Sequence, residues 1–262
     1  MDAKRNLVQI MNVDLYCGDC LDIFPRLNPN SVDLVLTDPP YGTTACKHDV
    51  VIPFEPMWNE LDRICKDNAA IIMTASQPFT SLLVTSNIEM FKHEWIWIKN
   101  RGSNFANTVR EPMKEHESVL VFSKGGWTYN KQMQPRTGGG LSRSKYNAKL
   151  DSKSENYGNF KGIQEYEFKE LRVPSSWQKF NTEVGLHPNQ KPVPLMEYLI
   201  KTYSNENDVV LDFSFGSGTS GVAAKKLKRN YVGIEKEEYH FLRGKKRIEE
   251  TEVPKNLFDC LK

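Results

Sequence analysis

No apolar run in this chain is longer than the five residues Ala69 to Met73, so nothing in it resembles a membrane-spanning helix. Met1-Asp2-Ala3-Lys4-Arg5-Asn6 leads into no signal-peptide core, and an intracellular, cytoplasmic protein without a membrane partner is expected. Cysteine is sparse: the 5 present are an odd number, scattered, which argues against a secreted disulfide framework. Cys17 and Cys20 make a lone C-x-x-C without a second pair or histidines at ligand spacing. No metal is therefore expected, and buried neutral thiols are the default. An excess of one charge is also missing. The balance of 35 basic and 33 acidic residues leaves +2, so any affinity for nucleic acid must come from local basic patches. There is no internal repeat and no low-complexity tract.

The 262 residues suffice for one large α/β domain with an insertion, or for two small domains. Short β-branched segments recur between helix-like stretches. Strands are expected at 12–16, 32–37, 69–74, 94–99, 118–123, 209–213 and 231–234, and helices at 54–66, 79–86, 192–203, 218–227 and 239–250. This is the pattern of a doubly wound, mostly parallel sheet. The alternating Trp95 and Trp97 read as packing residues, and the histidines as ordinary hydrogen-bonding groups. From Gly125 to Thr182 the pattern breaks, and the segment reads as an insertion outside the sheet. Gly125 to Lys161 carries seven basic residues (Lys131, Arg136, Arg143, Lys145, Lys149, Lys153, Lys161) against Asp151 and Glu155, a local +5. Trp127, Tyr129, Tyr146, Tyr157 and Phe160 are interleaved with them. The mixture suits nucleic acid, although a solvated loop has the same composition. The basic residues Lys225 to Arg229 and Arg243 to Arg247 read as solvated helix faces.

Val209 to Asp212 followed by Phe213-Ser214-Phe215-Gly216-Ser217-Gly218-Thr219-Ser220-Gly221 reads as buried strand, glycine-rich turn, then helix. Gly216, Gly218 and Gly221 fit G-x-G-x-x-G, and Glu235 ends the next strand, where a carboxylate can accept from ribose hydroxyls. Alone, this is equally a nicotinamide-dinucleotide fingerprint. Only 41 residues follow Gly221 (262 minus 221), too few for the remaining strands of a dinucleotide fold, so those strands must lie upstream.

Upstream, Asp38-Pro39-Pro40-Tyr41 closes the apolar strand that starts at Val32. Ligands of open α/β sheets bind at carboxyl ends of strands. Two prolines fix the backbone and remove two donors, leaving the Asp38 carboxylate and the Pro39 carbonyl as a rigid acceptor array beside an aromatic ring. That array suits a planar ligand bearing NH₂. A nucleobase would reach it only when single-stranded or flipped out of a duplex.

Asp38-Pro39-Pro40-Tyr41 preceding Asp212-Phe213-Ser214-Phe215-Gly216-Ser217-Gly218-Thr219 resembles the beta group of S-adenosylmethionine-dependent DNA amino-methyltransferases. In that group a catalytic motif, a target-recognition region and a cofactor motif follow in this order. Gly18-Asp19-Cys20 is similar to its early acidic motif, and His187-Pro188-Asn189-Gln190-Lys191-Pro192 to its His-Pro-x-Gln-Lys-Pro element. Phe213 departs from the family, which usually has proline there.

The resemblance implies a Rossmann-like methyltransferase sheet, with 1–124 its catalytic part, 125–182 an inserted target-recognition region and 183–262 the cofactor-binding part. It implies methyl transfer to an exocyclic amine, with Asp38, Pro39, Pro40 and Tyr41 holding the base and Tyr41 stacking on it. Asp19, Cys20, Asp38, Lys191, Asp212, Phe215, Gly216, Gly218, Thr219 and Glu235 are implied around S-adenosylmethionine, and no metal or covalent nucleophile is needed. DNA is the implied partner, with a homodimer left open. The Asp-Pro-Pro-Tyr form goes mainly with adenine N6, and N4 of cytosine is the alternative. A prokaryotic restriction partner, a stand-alone enzyme and a phage-borne one remain equal. Readings from other classes are an NAD-dependent oxidoreductase, a DNA-binding protein without chemistry, and transfer to RNA or protein.

Overall fold

The computed structural model describes residues 12–44, 49–136, 153–154, 158–159, 170–183, 185 and 190–253. They divide into two compact units, one made of 1–130 and 176–262, the other of 131–175.

The larger unit is an eight-stranded sheet. In chain order it contains β1 (Val13–Cys17), α1 (Cys20–Ile23), β2 (Val32–Thr37), α2 (Phe54–Ile64), β3 (Cys65–Ala75), α3 (Phe79–Ser86), β4 (Phe91–Ser103) and β5 (Lys114–Phe122). The smaller unit contains two short antiparallel strand pairs, β6 (Gln134–Pro135) with β9 (Leu171–Arg172), and β7 (Lys153–Ser154) with β8 (Gly158–Asn159). The chain then returns to the larger unit with β10 (Trp177–Lys179), α4 (Val193–Tyr203), β11 (Val209–Asp212), α5 (Thr219–Lys226), β12 (Asn230–Glu235) and α6 (Glu238–Glu249). Strand order is β1-β12-β11-β2-β3-β5-β4-β10, and β5 alone runs against its neighbours.

Both faces of the sheet are covered, because successive residues of a strand point to opposite sides. Leu34 and Leu36 join one buried cluster with α4 and α5, while Val35 between them joins the other with α1, α2 and α3. In α2, Met57, Trp58, Leu61 and Ile64 recur at helical spacing and are all buried. Trp95 and Trp97 are core residues. Phe213, standing where proline is usual, is 2% exposed and packs edge-on against Phe24 at 5.5 Å, so an aromatic contact steadies the strand exit.

Three expectations are corrected here. Trp177–Lys179, assigned to the insertion, is the edge strand of the main sheet and pairs with Ile96 to Ile98. Its three residues are too few to show a period. Trp127, counted among the aromatics of an insertion outside the sheet, packs 5.6 Å from His93 of β4, which itself bonds the Tyr203 hydroxyl at 2.7 Å. Arg229, read as solvated, is 7% exposed and donates to the Ser204 and Leu227 carbonyls. Arg143, Lys145, Tyr146, Lys149, Tyr157, Phe160 and Lys161 lie outside the described residues, as do His187, Pro188 and Asn189.

Candidate active site

β2 and β11 are parallel neighbours, with Leu34 opposite Val210 and Val35 opposite Leu211, so both end at the same edge of the sheet. The two sequence motifs follow these strands and therefore meet. Ser214 Oγ donates to the Asp38 carbonyl at 3.0 Å. Thr37 Oγ1 lies 2.8 Å from Ser214 Oγ and donates to Asp212 Oδ1 at 2.7 Å. A chain of side-chain hydrogen bonds thus ties the Asp-Pro-Pro-Tyr turn to the glycine turn.

At the first turn Pro39 is buried, while Asp38 and Tyr41 are half-buried. The two Asp38 oxygens have different partners. Oδ1 accepts from the Tyr41 hydroxyl at 2.8 Å and from the Thr74 hydroxyl, whereas Oδ2 accepts from Lys191 Nζ at 2.7 Å. A carboxylate oxygen takes about two donors. Oδ1 is therefore filled and Oδ2 keeps one acceptor direction. Burial alone would lower Lys191, yet the Asp38 and Glu117 carboxylates outweigh it and raise the ammonium above the ordinary lysine value. Burial, then Asp38, pushes the Tyr41 phenol well above its usual range, so it is a permanent donor. Its ring stacks on Phe79 at 5.1 Å, and Lys191 Nζ stands 5.7 Å from the ring centroid.

At the second turn, Gly216 and Gly218 have φ of +49° and +76°. A Cβ on Gly218 would meet the Gly244 carbonyl oxygen at 2.8 Å, whereas one on Gly216 would meet nothing nearer than 4.0 Å. Gly218 is required by close approach of α6, and Gly216 leaves the outer face of the turn bare. Glu235, 8% exposed, accepts from the Gly216 amide with Oε2 and from the Glu237 amide with Oε1, both at 2.9 Å. Beside it the Gly18 amide donates to the Glu235 carbonyl at 2.9 Å, which brings Asp19 to the same edge. Asp19 accepts from the Leu21 amide and from Lys236 Nζ, each at 3.0 Å. Burial opposes its ionisation, but these donors prevail and lower it. Cys20 is buried, and burial pushes its thiol up to about 12. Cys17 is exposed, so the pair differs from the expected two buried thiols.

Three of the residues expected at the cofactor support the turn from within. Phe215 is 4% exposed and packs 5.9 Å from Phe241. Thr219 is buried, and its hydroxyl accepts from Arg247 at 3.0 Å. Arg247, read as a solvated residue of α6, also donates to the Ser217 carbonyl at 3.2 Å. Asp212 is 4% exposed and accepts from Thr37, from the Ser214 amide at 3.1 Å and from the Ser220 hydroxyl. Burial pushes this carboxyl from 3.8 up to about 7, against those hydrogen bonds. Well below pH 3.8 it is protonated whether the chain is folded or not. As pH rises to 7 the unfolded chain ionises it and the folded chain resists, so stability is lost across that window. Measured by urea unfolding, the stability of Asp212→Asn relative to the parent should therefore rise by on the order of 4 kcal/mol between pH 4 and pH 8. A pH-independent difference would show that Asp212 ionises normally.

The sequence reading missed Thr37, Thr74, Ser214, Lys99 and Glu117. Thr37 directly precedes the first motif and Ser214 lies inside the second, so both were within reach. Glu117 stands two residues before the apolar run Val119 to Phe122, a charged residue entering a buried strand. It contacts Lys191 at 3.2 Å and Lys99 at 2.5 Å.

A family model described as DNA methylase matches residues 32–246. The Type II methyltransferase M2.MboI of Moraxella bovis is 28% identical, with 94% of this chain and 92% of that protein aligned. The crystal structure of the M1.HpyAVI–SAM complex superposes with a TM-score of 0.58 at 25% identity, covering 90% of this chain and 98% of that one. The cytosine-N4-specific PvuII DNA methyltransferase shares the fold, with a TM-score of 0.65 at 14% identity over 93% of this chain and 88% of its own.

Proposed function

Because the chain belongs to the DNA methylase family, whose members are S-adenosylmethionine-dependent and act on adenine N6 or cytosine N4, we propose that it methylates N6 of adenine within a fixed DNA sequence, as the modification partner of a restriction system. The observation that carries this reading is the 3.0 Å hydrogen bond from Ser214 to the Asp38 carbonyl, because it puts an amine acceptor and a glycine turn at one sheet edge. The nicotinamide reading of that turn falls away with family membership.

The described residues fit the cofactor. The bare outer face at Gly216 leaves room that a Cβ would fill, and Glu235 and Asp19 close the same edge with carboxylates. When bound, S-adenosylmethionine supplies a methyl activated by its sulfonium. Asp38 Oδ2 accepts one hydrogen of the target amine and the Pro39 carbonyl the other, which pulls the nitrogen from planarity and frees its lone pair. Tyr41 and Thr74 hold Oδ1, and Lys191 donates to Oδ2. The base must leave its stack to reach a turn at a strand end. Sequence recognition is assigned to the unit 131–175, on the strength of its basic and aromatic composition. Adenine is preferred over cytosine because of the Asp-Pro-Pro-Tyr form, although both bases offer NH₂ to the same acceptors.

Methylation-sensitive sequencing of DNA from cells expressing the gene tests this directly. N6-methyladenine in one recurring context is expected. N4-methylcytosine in its place would overturn the choice of base, and unmodified DNA would overturn the activity.

A further inference from the structure

Lys99, Glu117, Lys191 and Asp38 form a line of alternating charge that ends at the amine acceptor. Lys99 Nζ lies 2.5 Å from Glu117 Oε1, Lys191 Nζ lies 3.2 Å from Glu117 Oε2, and the same ammonium lies 2.7 Å from Asp38 Oδ2. Glu117 turns one oxygen to each lysine, Oε1 in a hydrogen bond from Lys99 and Oε2 in an ion-pair contact with Lys191. Asp38 is the most exposed of the four: the side chains of Lys99, Glu117 and Lys191 are 8%, 14% and 7% exposed, that of Asp38 28%.

Three desolvated charges are a costly way to fill space, since apolar side chains of similar volume commonly stabilise a fold as well or better. Their placement answers a different need. Lys191 sits on the approach to α4 at the end of a long flexible stem, and a single contact with Asp38 would leave its ammonium free to wander. Glu117 and Lys99 stand instead on the antiparallel pair β5 and β4, where Trp97 is opposite Glu117. Ordered strands hold a functional group more closely than a loop does. A second anchor on the sheet fixes the ammonium, and the ammonium fixes Oδ2. Lys99 balances Glu117 so that Glu117 does not draw Lys191 away from Asp38.

We propose that Glu117, anchored by Lys99, is a positioning residue for methyl transfer that acts through Lys191 to hold the Asp38 carboxylate in its amine-accepting orientation. This rests on the reading of Asp38 as the amine acceptor.

The test is the double substitution Lys99→Met with Glu117→Gln, which leaves neither buried charge without its partner. Transfer of tritiated methyl from S-adenosylmethionine to plasmid DNA from a methylation-deficient host is measured per S-adenosylmethionine-binding site. The expected result is a kcat lower by about tenfold or more, with KM for DNA and Kd for S-adenosylmethionine within about twofold of the parent. Lys99→Met alone should also be slow, because the unbalanced Glu117 then competes for Lys191. A double variant that transfers at the parent rate per binding site, whatever its melting temperature, would overturn the proposal and reduce the pair to mutual charge balance. Asp38→Asn in the same assay separates the two readings. If it is active, the role of Asp38 fails; if it is inactive beside a fully active double variant, only the relay fails.

Discussion

Asp38→Asn lowers the rate of methyl transfer by about a hundredfold to a thousandfold, while affinity for S-adenosylmethionine in equilibrium titration stays within about threefold. The substitution keeps the size of the side chain and removes its charge. An amide NH₂ in place of one oxygen presents a donor to an amine that itself donates, so the acceptor array is lost where it is needed. The turn survives, because Lys191 retains Glu117 at 3.2 Å and Ser214 still donates to the backbone carbonyl of residue 38. Cofactor affinity is spared because the glycine turn is tied to Glu235 through the Gly216 amide, a contact that does not involve the Asp38 side chain. Transfer at a near-normal rate would remove Asp38 from the chemistry.

Gly218→Ala has the opposite signature, a loss of cofactor affinity together with stability. Residue 218 has φ +76°, which costs an alanine about 1–2 kcal/mol, and its Cβ would lie 2.8 Å from a backbone oxygen of α6 that cannot swing aside. Overpacking of this kind adds about 1–3 kcal/mol. A fall in melting temperature of roughly 5 °C or more is expected, with affinity for S-adenosylmethionine weaker by at least about tenfold, since each 1.4 kcal/mol is a factor of ten. Gly126→Ala is the control: a Cβ there meets nothing within 4 Å, and neither quantity should change. If Gly218→Ala bound the cofactor normally, the turn would not be the cofactor's cradle.

Much of the sheet is legible along the chain because each central strand is a short run of β-branched and apolar residues that must be buried on both faces. Val32–Thr37 and Phe79–Ser86 match the sequence reading residue for residue. Strand ends are less legible. β3, β4 and β5 extend beyond their apolar segments, carried by hydrogen bonds to neighbours rather than by side-chain pattern. β10 is invisible for the same reason, since its three residues are held by pairing with β4.

The same division runs through the site. Local chemistry alone announced the proline-braced acceptor, the glycine turn and the carboxylate at the end of β12, because each depends on residues adjacent in the chain. Tertiary structure decided which oxygen of Asp38 remains open, that Asp212 and Phe215 support the turn from beneath, and that Glu117 and Lys99 stand behind Lys191. Those facts follow from strand order, which sets β2 beside β11 and β5 beside β4. Pairing between distant segments leaves no periodic trace in the residues it joins, so the partners of a charged side chain are fixed only once the sheet is assembled.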